Sequence, residues 1–391
     1  MSKNIKELQE FLEELRSRRE VYLDKAPKIY GRLYNHKNEK DKRPEPFHES
    51  SFLYIRSYNG DIGIRPFDGI NFWCSPDINI SPITDPGNFQ TTLQAGHAYN
   101  VNCRLHNRGD VTVPYPKVEF FLTDPTLGFD TRFADLIGVT QLPGFLLSGS
   151  TDTLDYTYNV PAEKSGHKCF FARTYSFSPL DKPFDIYALD PRIDRHIGQK
   201  NLHFVPQGST YQFNLIHLPN TLERIDFVAL SQNKVMAFQH PGLNNFKIGN
   251  KTSPESLKKM QIRTVQKEAR NLRFKQNERG FQISAENGKG MDINSQAAFM
   301  KKFNAFLAAI NPVNAGTKAP ANPRRKQISQ EEKKEMFQAF RAMNEPMQKT
   351  AFELTIPDFG LKKGQAIGID IVNTSLVSSS LKGGITLLVM G

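Results

Sequence analysis

Apolar residues recur at helical spacing, with charged residues between them, over positions 3–25 of the chain. This pattern predicts an amphipathic helix that ends near Pro27, within an N-terminal unit of residues 1–34. Because so short a helix is marginal in water by itself, its apolar stripe must pack on a surface, either of its own domain or of a neighbouring subunit. The stripe consists of Ile5, Leu8, Phe11, Leu12, Leu15, Val21 and Tyr22.

The pattern then changes from helical spacing to that of strands. Residues 35–49 are polar and typical of a linker, and a leading strand completes the segment 35–69. Turn sequences such as HNRGD, SGSTD and EKSGH separate the runs that follow. Short strands at this spacing indicate an immunoglobulin-like β-sandwich. The predicted strands cover residues 52–58, 70–74, 77–80, 98–107, 117–123, 154–160, 168–177 and 201–205.

A second set of strand patterns is split by a long helical stretch. We therefore predict a second β-sandwich, formed by residues 206–252 and 350–391, with residues 253–349 inserted into it. The closing sequence ITLLVM is almost purely apolar, so its strand is expected in the interior of a sheet. The predicted strands of this set cover residues 209–217, 224–231, 234–238, 351–356, 365–373 and 384–390.

The insertion is predicted to be helical. Pro254 stands at a typical helix start, and a ragged apolar stripe follows it. A second helix over residues 295–310 has a Phe-rich face and stops at Pro312. A third helix begins at Ser329, where Glu332 completes a capping-box pattern. The first stripe comprises Leu257, Met260, Val265, Ala269 and Leu272.

One stretch of the first sandwich carries a family resemblance. The sequence AGHAYNVNCRLHNRGDVTVPYPKVEFFLTDP resembles the bacterial CARDB-type immunoglobulin-like domain, in which a strand ending in an N-x-G turn leads into a strand that closes with D-P. WCSPDINI, CFFARTYSF and GQKNLHFV are similar to the first, penultimate and last strands of that module. The resemblance covers residues 70–205 and implies a rigid spacer or an interaction module. The section 178–198 is longer than the loop usual in that family.

The positive charge of the chain is concentrated in the insertion. The net charge is +11, and residues 251–350 alone hold 20 Lys and Arg against 9 Asp and Glu, so the rest of the chain is neutral. Basic helices attract polyanions. Because acidic residues are interspersed, an acidic protein surface or a neighbouring subunit is the favoured partner. Nucleic acid and a merely solvated face without a partner are the alternatives. Besides the N-terminal stripe, the residues predicted to contact a partner are Lys258, Lys259, Arg263, Lys267, Arg270, Arg273, Arg324, Arg325 and Lys326.

The familiar catalytic motifs are missing from the sequence. It contains no HExxH, CxxC, GxxxxGK[ST] or GxSxG pattern, so we predict no enzymatic activity and no cofactor. The nearest approach to a metal site is formed by Asp190, Asp194 and His196. Together with His203, these residues carry a second alternative, an unrecognised metal-dependent enzyme.

The cysteines are too few and too scattered for a disulfide framework. Cys74, Cys103 and Cys169 are therefore predicted to be buried, reduced thiols. Cys103 and Cys169 lie on candidate inner strands and are placed to face each other, and the same placement is expected for His106 and His167.

The N-terminal residues are charged and contain no apolar run of the signal-peptide type. No stretch approaches the roughly 18 apolar residues that span a bilayer. These patterns predict a cytoplasmic protein, or one exported without an N-terminal signal peptide. Two β-sandwiches with helical appendages then predict a non-enzymatic structural or interaction protein, a subunit of a filament, a shell, or a secretion or injection machine. Its partners are copies of itself or other subunits. A module that binds nucleic acid or another anionic ligand through the basic insertion is the alternative.

Overall fold

Strands dominate the part of the chain that the structure describes, so the protein is mainly β. The predicted N-terminal helix and its linker lie outside that part. The computed structural model describes residues 50–67, 71–128, 130–178, 180–238, 240–249, 253–265, 272–286, 288–310 and 328–391.

The N-terminal half of the described chain contributes short strands to two sheets and to two small ribbons, and one strand to a third sheet. These strands are β1 (Leu53–Tyr54), β2 (Ile78–Pro82), β3 (Thr92–Leu93), β4 (Ala98–Asn107), β5 (Val113–Pro114), β6 (Lys117–Thr123), β7 (Thr126–Leu127), β8 (Asp135–Gln141), β9 (Phe145–Leu146), β10 (Thr151–Asn159), β11 (Gly166–His167), β12 (Cys169–Tyr175) and β13 (Ile197–Lys200).

Two of these sheets pack face to face. In sheet I, β4 lies between β10 on one side and β1 and β2 on the other, and sheet II has the order β13-β12-β6-β8. Inward residues of the two sheets form one core, with Val101 and Leu105 from sheet I and Val118 and Phe120 from sheet II. The strands predicted at 98–107 and 117–123 are confirmed as β4 and β6.

The C-terminal half contributes two further sheets and four α-helices. The strands are β14 (Leu202–Pro206), β15 (Thr210–His217), β16 (Thr221–Ala229), β17 (Lys247–Ile248), β18 (Gln261–Thr264), β19 (Arg273–Gln276), β20 (Gly280–Ala285), β21 (Gln348–Thr355), β22 (Gln365–Ser375) and β23 (Ser380–Met390). The helices are α1 (Gln232–Met236), α2 (Pro254–Leu257), α3 (Ile293–Ile310) and α4 (Gln330–Asn344).

Sheet III is buried on both of its faces. It has the order β14-β23-β22-β16-β20-β19, and sheet IV has the order β18-β21-β15-β7. Ile369 and Ile371 of β22 belong to the core shared with sheet IV, whereas Ala366 and Leu388 belong to the core shared with sheet II. The four sheets therefore stack as layers, I against II, II against III, and III against IV. The interior position predicted for ITLLVM is confirmed, since β23 lies between β14 and β22.

The segment GQKNLHFV forms two strands in different sheets and not the single closing strand that was predicted. β13 pairs antiparallel with β12 in sheet II, and β14 pairs parallel with β23 in sheet III. Asn201 joins them, and its side-chain amide donates to the carbonyls of Thr126 and Gly384. The chain therefore passes from the first pair of sheets to the second at Asn201.

The prediction of a long first helix in the insertion is wrong. The helix α2 ends at Leu257, and the chain continues as β18, which pairs with β21, and then as the hairpin β19–β20, which pairs with β16. Met260 lies in the core between sheets III and IV. The free energy gained by strand pairing and by burying Met260 outweighs the weak helical tendency of the apolar stripe. The strand predicted at 234–238 is also wrong, because Ser231 caps the helix α1 there.

The two remaining helices of the insertion are confirmed, and they pack as a pair. α3 begins at Ile293, and α4 begins after Ser329 with the predicted capping box to Glu332. The rings of Phe303 and Phe340 stack with their centroids 4.4 Å apart. None of the helices in the described residues has the length and apolar composition needed to span a membrane.

Candidate interaction surface

The carboxylates of Asp190 and Asp194, the nearest approach to a metal site in the sequence, are used in ion pairs and turns. Asp190 binds Arg192 at 2.5 Å, and an oxygen of Asp194 lies 2.7 Å from Nδ1 of His196. Burial opposes ionisation of Asp194, but His196 outweighs it and lowers the pKa of that carboxyl. Across the described residues, no group of three or more His, Cys, Asp and Glu side chains is arranged to hold a metal ion.

The expected facing pairs of cysteines and histidines are wrong. Cys103 belongs to the core between sheets I and II, whereas Cys169 belongs to the core between sheets II and III. Nε2 of His106 lies 2.8 Å from Asp77, while the ring of His167 packs against His203. The prediction of buried thiols is confirmed for all three cysteines.

Four of the nine predicted basic contact residues lie in the described part of the chain. Lys258, Lys259, Arg263 and Arg273 are exposed, and Arg263 is paired with Glu353 at 2.5 Å. The remaining predicted contact residues lie outside the described part, namely Lys267, Arg270, Arg324, Arg325 and Lys326 and the N-terminal Ile5, Leu8, Phe11, Leu12 and Leu15.

An exposed aromatic cluster, which the sequence reasoning missed, lies beside the ribbon of β5 and β9. The ring of Tyr115 is 5.4 Å from that of Phe145 and 6.5 Å from that of Phe177. Tyr115, Phe145, Phe177 and the neighbouring Leu147 are 40%, 57%, 37% and 60% exposed. We call these four residues the aromatic cluster. Contiguous apolar surface of this kind marks interaction sites.

The backbone holds the aromatic cluster outward. Leu146 is buried in the core between sheets I and II, so the residues on either side of it, Phe145 and Leu147, point to solvent. Tyr115 has a φ of 45°, a left-handed conformation that costs a bulky L-residue about 1–2 kcal/mol.

The chain enters the described structure next to the aromatic cluster. The amide of Val111 donates to the carbonyl of Ser50 at 3.0 Å, and the hydroxyls of Ser51 and Ser178 are 3.0 Å apart. Ser50, the first residue that the structure describes, therefore lies on the same side of sheet I as the aromatic cluster. Sequence clues to this surface exist, because VPYP and LPGFLL place large apolar residues among turn-forming prolines and glycines.

A second apolar surface lies on the edge strand of sheet II. Among the described residues, β8 is paired only with β6, so its other edge is open. Leu136 and Val139 of β8 are both exposed. An open edge with apolar side chains is available for pairing with another chain.

A buried carboxyl lies between sheets II and III, remote from these surfaces. Asp370 accepts hydrogen bonds from Thr386 at 2.6 Å and from Asn71 at 2.5 Å, and Thr386 in turn accepts from the Trp73 indole at 2.9 Å. Burial raises the pKa of Asp370 to about 7, although both hydrogen bonds act to lower it. This network joins β22, β23 and the segment 71–74 within one core.

No family model matches the chain, and no curated protein matches it. The chain is similar to the solved CARDB domain of a Pyrococcus furiosus protein in complex with di-metal ions, at 11% identity over 42% of this chain and 96% of that chain, with a TM-score of 0.23. It is similar to a GH3 beta-glucosidase of Bifidobacterium adolescentis, at 13% identity over 34% of this chain and 16% of that chain, with a TM-score of 0.18. TM-scores this low assign neither a family nor an activity, and the CARDB resemblance stays a prediction.

Proposed function

We propose that this chain is a non-enzymatic subunit of a larger protein assembly, and that sheets I and II form an immunoglobulin-like, CARDB-type interaction module within it. The observation that carries the proposal is the aromatic cluster, where Tyr115, Phe145 and Phe177 are in ring contact and exposed. Burying a fully exposed aromatic side chain contributes about 1.5–3 kcal/mol, and these three rings are 37–57% exposed, so a partner that covers them gains roughly half of that amount from each ring.

The occupant that we propose is the N-terminal helix, residues 3–25, of a second copy of the chain. Its predicted apolar stripe matches an apolar surface in chemistry, and the chain enters the fold beside that surface at Ser50. The segment 26–49 spans up to about 80 Å when extended, so the helix is able to reach a neighbouring copy. Helix docking on an apolar groove is a common mode of partner recognition.

Light scattering on purified protein tests the proposal. We expect the full chain to be oligomeric, and both deletion of residues 1–34 and the change Phe145→Ser to yield monomers. The control is Ile83→Ser, which removes an equally exposed side chain next to the start of β4, at the other end of sheet I from the aromatic cluster. A chain that is monomeric at high concentration and captures no protein partner would refute the assembly role. An oligomer that survives both changes would refute this surface as its interface.

A further inference from the structure

A cavity of about 730 Å³ lies between the helical pair, the loop 185–193 and the start of β23. Its apolar wall is formed by Met300 of α3, by Phe340 of α4 and by Ile193 of the loop, and the fully buried Phe303 packs behind this wall. Its volume is in the range of pockets that enclose a small molecule. This cavity is not part of the aromatic cluster or of the open edge of β8.

Three arginines line the cavity, and each is already committed to a carboxylate. The pairs are Arg132 with Asp130 at 2.6 Å, Arg192 with Asp190 at 2.5 Å and Arg341 with Asp185 at 3.0 Å. Further donors of Arg132 reach the carbonyls of Asn344 and Glu345 at the end of α4, and a further donor of Arg192 reaches that of Leu381. The charge of each arginine is therefore balanced by a carboxylate of the protein itself.

Lys382 is the cation of the cavity that remains uncommitted. Within the described residues, its ammonium makes no hydrogen bond and no ion pair, and its side chain is half-buried. The acids that act on it through space are Glu223 and Asp190. Glu223 already accepts from Thr221 and Asn373, and Asp190 holds Arg192.

The environment of Lys382 is unfavourable for a bare ammonium. Burial lowers the pKa of Lys382, because the surrounding protein solvates its charge poorly. A cation that has lost water and has no hydrogen-bond acceptor is stabilised by any anion that enters the cavity. The three arginine pairs are each neutral, so they add no further positive charge for a ligand with several negative charges.

We propose that this cavity binds an amphipathic monocarboxylate, with its carboxylate on Lys382 and its apolar body against Met300, Ile193 and Phe340. One uncommitted cation matches one negative charge, which favours a monocarboxylate over a polyphosphate. The apolar wall favours a hydrocarbon chain or ring over a sugar. This site is separate from the aromatic cluster and does not depend on the assembly role.

Isothermal titration of the full chain with dodecanoate tests the site, with dodecanol and dodecyl phosphate as matched probes. We expect dodecanoate to bind at least tenfold more tightly than dodecanol. We expect Lys382→Met to remove that preference and Lys382→Arg to retain most of it. Lys363→Met is the control, because Lys363 is exposed and does not line the cavity. Thermal melts of each variant establish that it is folded.

Two results would overturn the proposal. One is the absence of dodecanoate binding to the folded protein, and the other is equal dodecanoate affinity in the original chain and in Lys382→Met. Tighter binding of dodecyl phosphate than of dodecanoate would refute the assignment to a monocarboxylate. All these outcomes are independent of the oligomeric state that tests the proposed function.

Discussion

At neutral pH, the variant Asp370→Asn should have a higher free energy of unfolding than the original chain. Asp370 is buried on β22 and accepts hydrogen bonds from Thr386 and Asn71. Burial raises the pKa of this carboxyl from 3.8 to about 7, so the folded protein holds its proton more tightly than the unfolded chain does. Asn has nearly the same shape and cannot ionise, so it avoids the cost of a buried negative charge.

The size of the effect follows from the pKa difference. Since the folded state binds the extra proton, the free energy of unfolding falls as pH rises from about 4 to about 7. A pKa difference of about three corresponds to about 4 kcal/mol when the group is fully ionised. The free energy of unfolding of Asp370→Asn, minus that of the original chain, should therefore rise by up to about 4 kcal/mol across this range.

Urea denaturation of both proteins at several pH values between about 4 and 8 measures this difference. Other titrating groups, including the buried His240, affect both proteins alike and cancel in the subtraction. Asp358→Asn is the matched control, because Asp358 is exposed. A difference that stays flat with pH, or that falls as pH rises, would refute the argument that Asp370 is kept protonated by burial.

Two further predictions concern the same core. Burial lowers the pKa of His240 to about 3, so stability present above about pH 6.5 should be lost as pH falls toward 3, because the unfolded chain then binds the proton more tightly. The variant His240→Asn offers an oxygen to the amide of Gly242 in place of Nδ1. In urea titrations its free energy of unfolding should fall less than that of the original chain as pH is lowered, and an equal fall would contradict this cause. A Cβ at Gly384 would lie 2.3 Å from Cε2 of Trp73, so Gly384→Ala should lower the free energy of unfolding by about 1–3 kcal/mol or more. Gly144→Ala, where nothing lies within 4 Å, is the control, and equal effects at the two sites would contradict the packing argument.

The sequence determined those features that depend on neighbouring residues. The alternation of apolar residues placed β4 and β6 correctly, and the capping box of Ser329 and Glu332 marked the start of α4. The apolar run ITLLVM indicated an interior strand, since a strand that is covered on both faces needs apolar residues at every position. These signals are local, so no knowledge of distant residues was needed to read them.

The tertiary structure alone decided which sheet each strand joins. Nothing local in GQKNLHFV shows that β13 belongs to sheet II and β14 to sheet III, because that choice depends on β12 and β23, far away in sequence. The same holds for β18, which pairs with β21 although its surroundings resemble a helix. The exposure of Phe145, and the absence of a partner for Lys382 among the described residues, are likewise decided by which side chains the fold leaves uncovered. The identity of a hydrophobic or charged residue does not by itself show whether it will be covered.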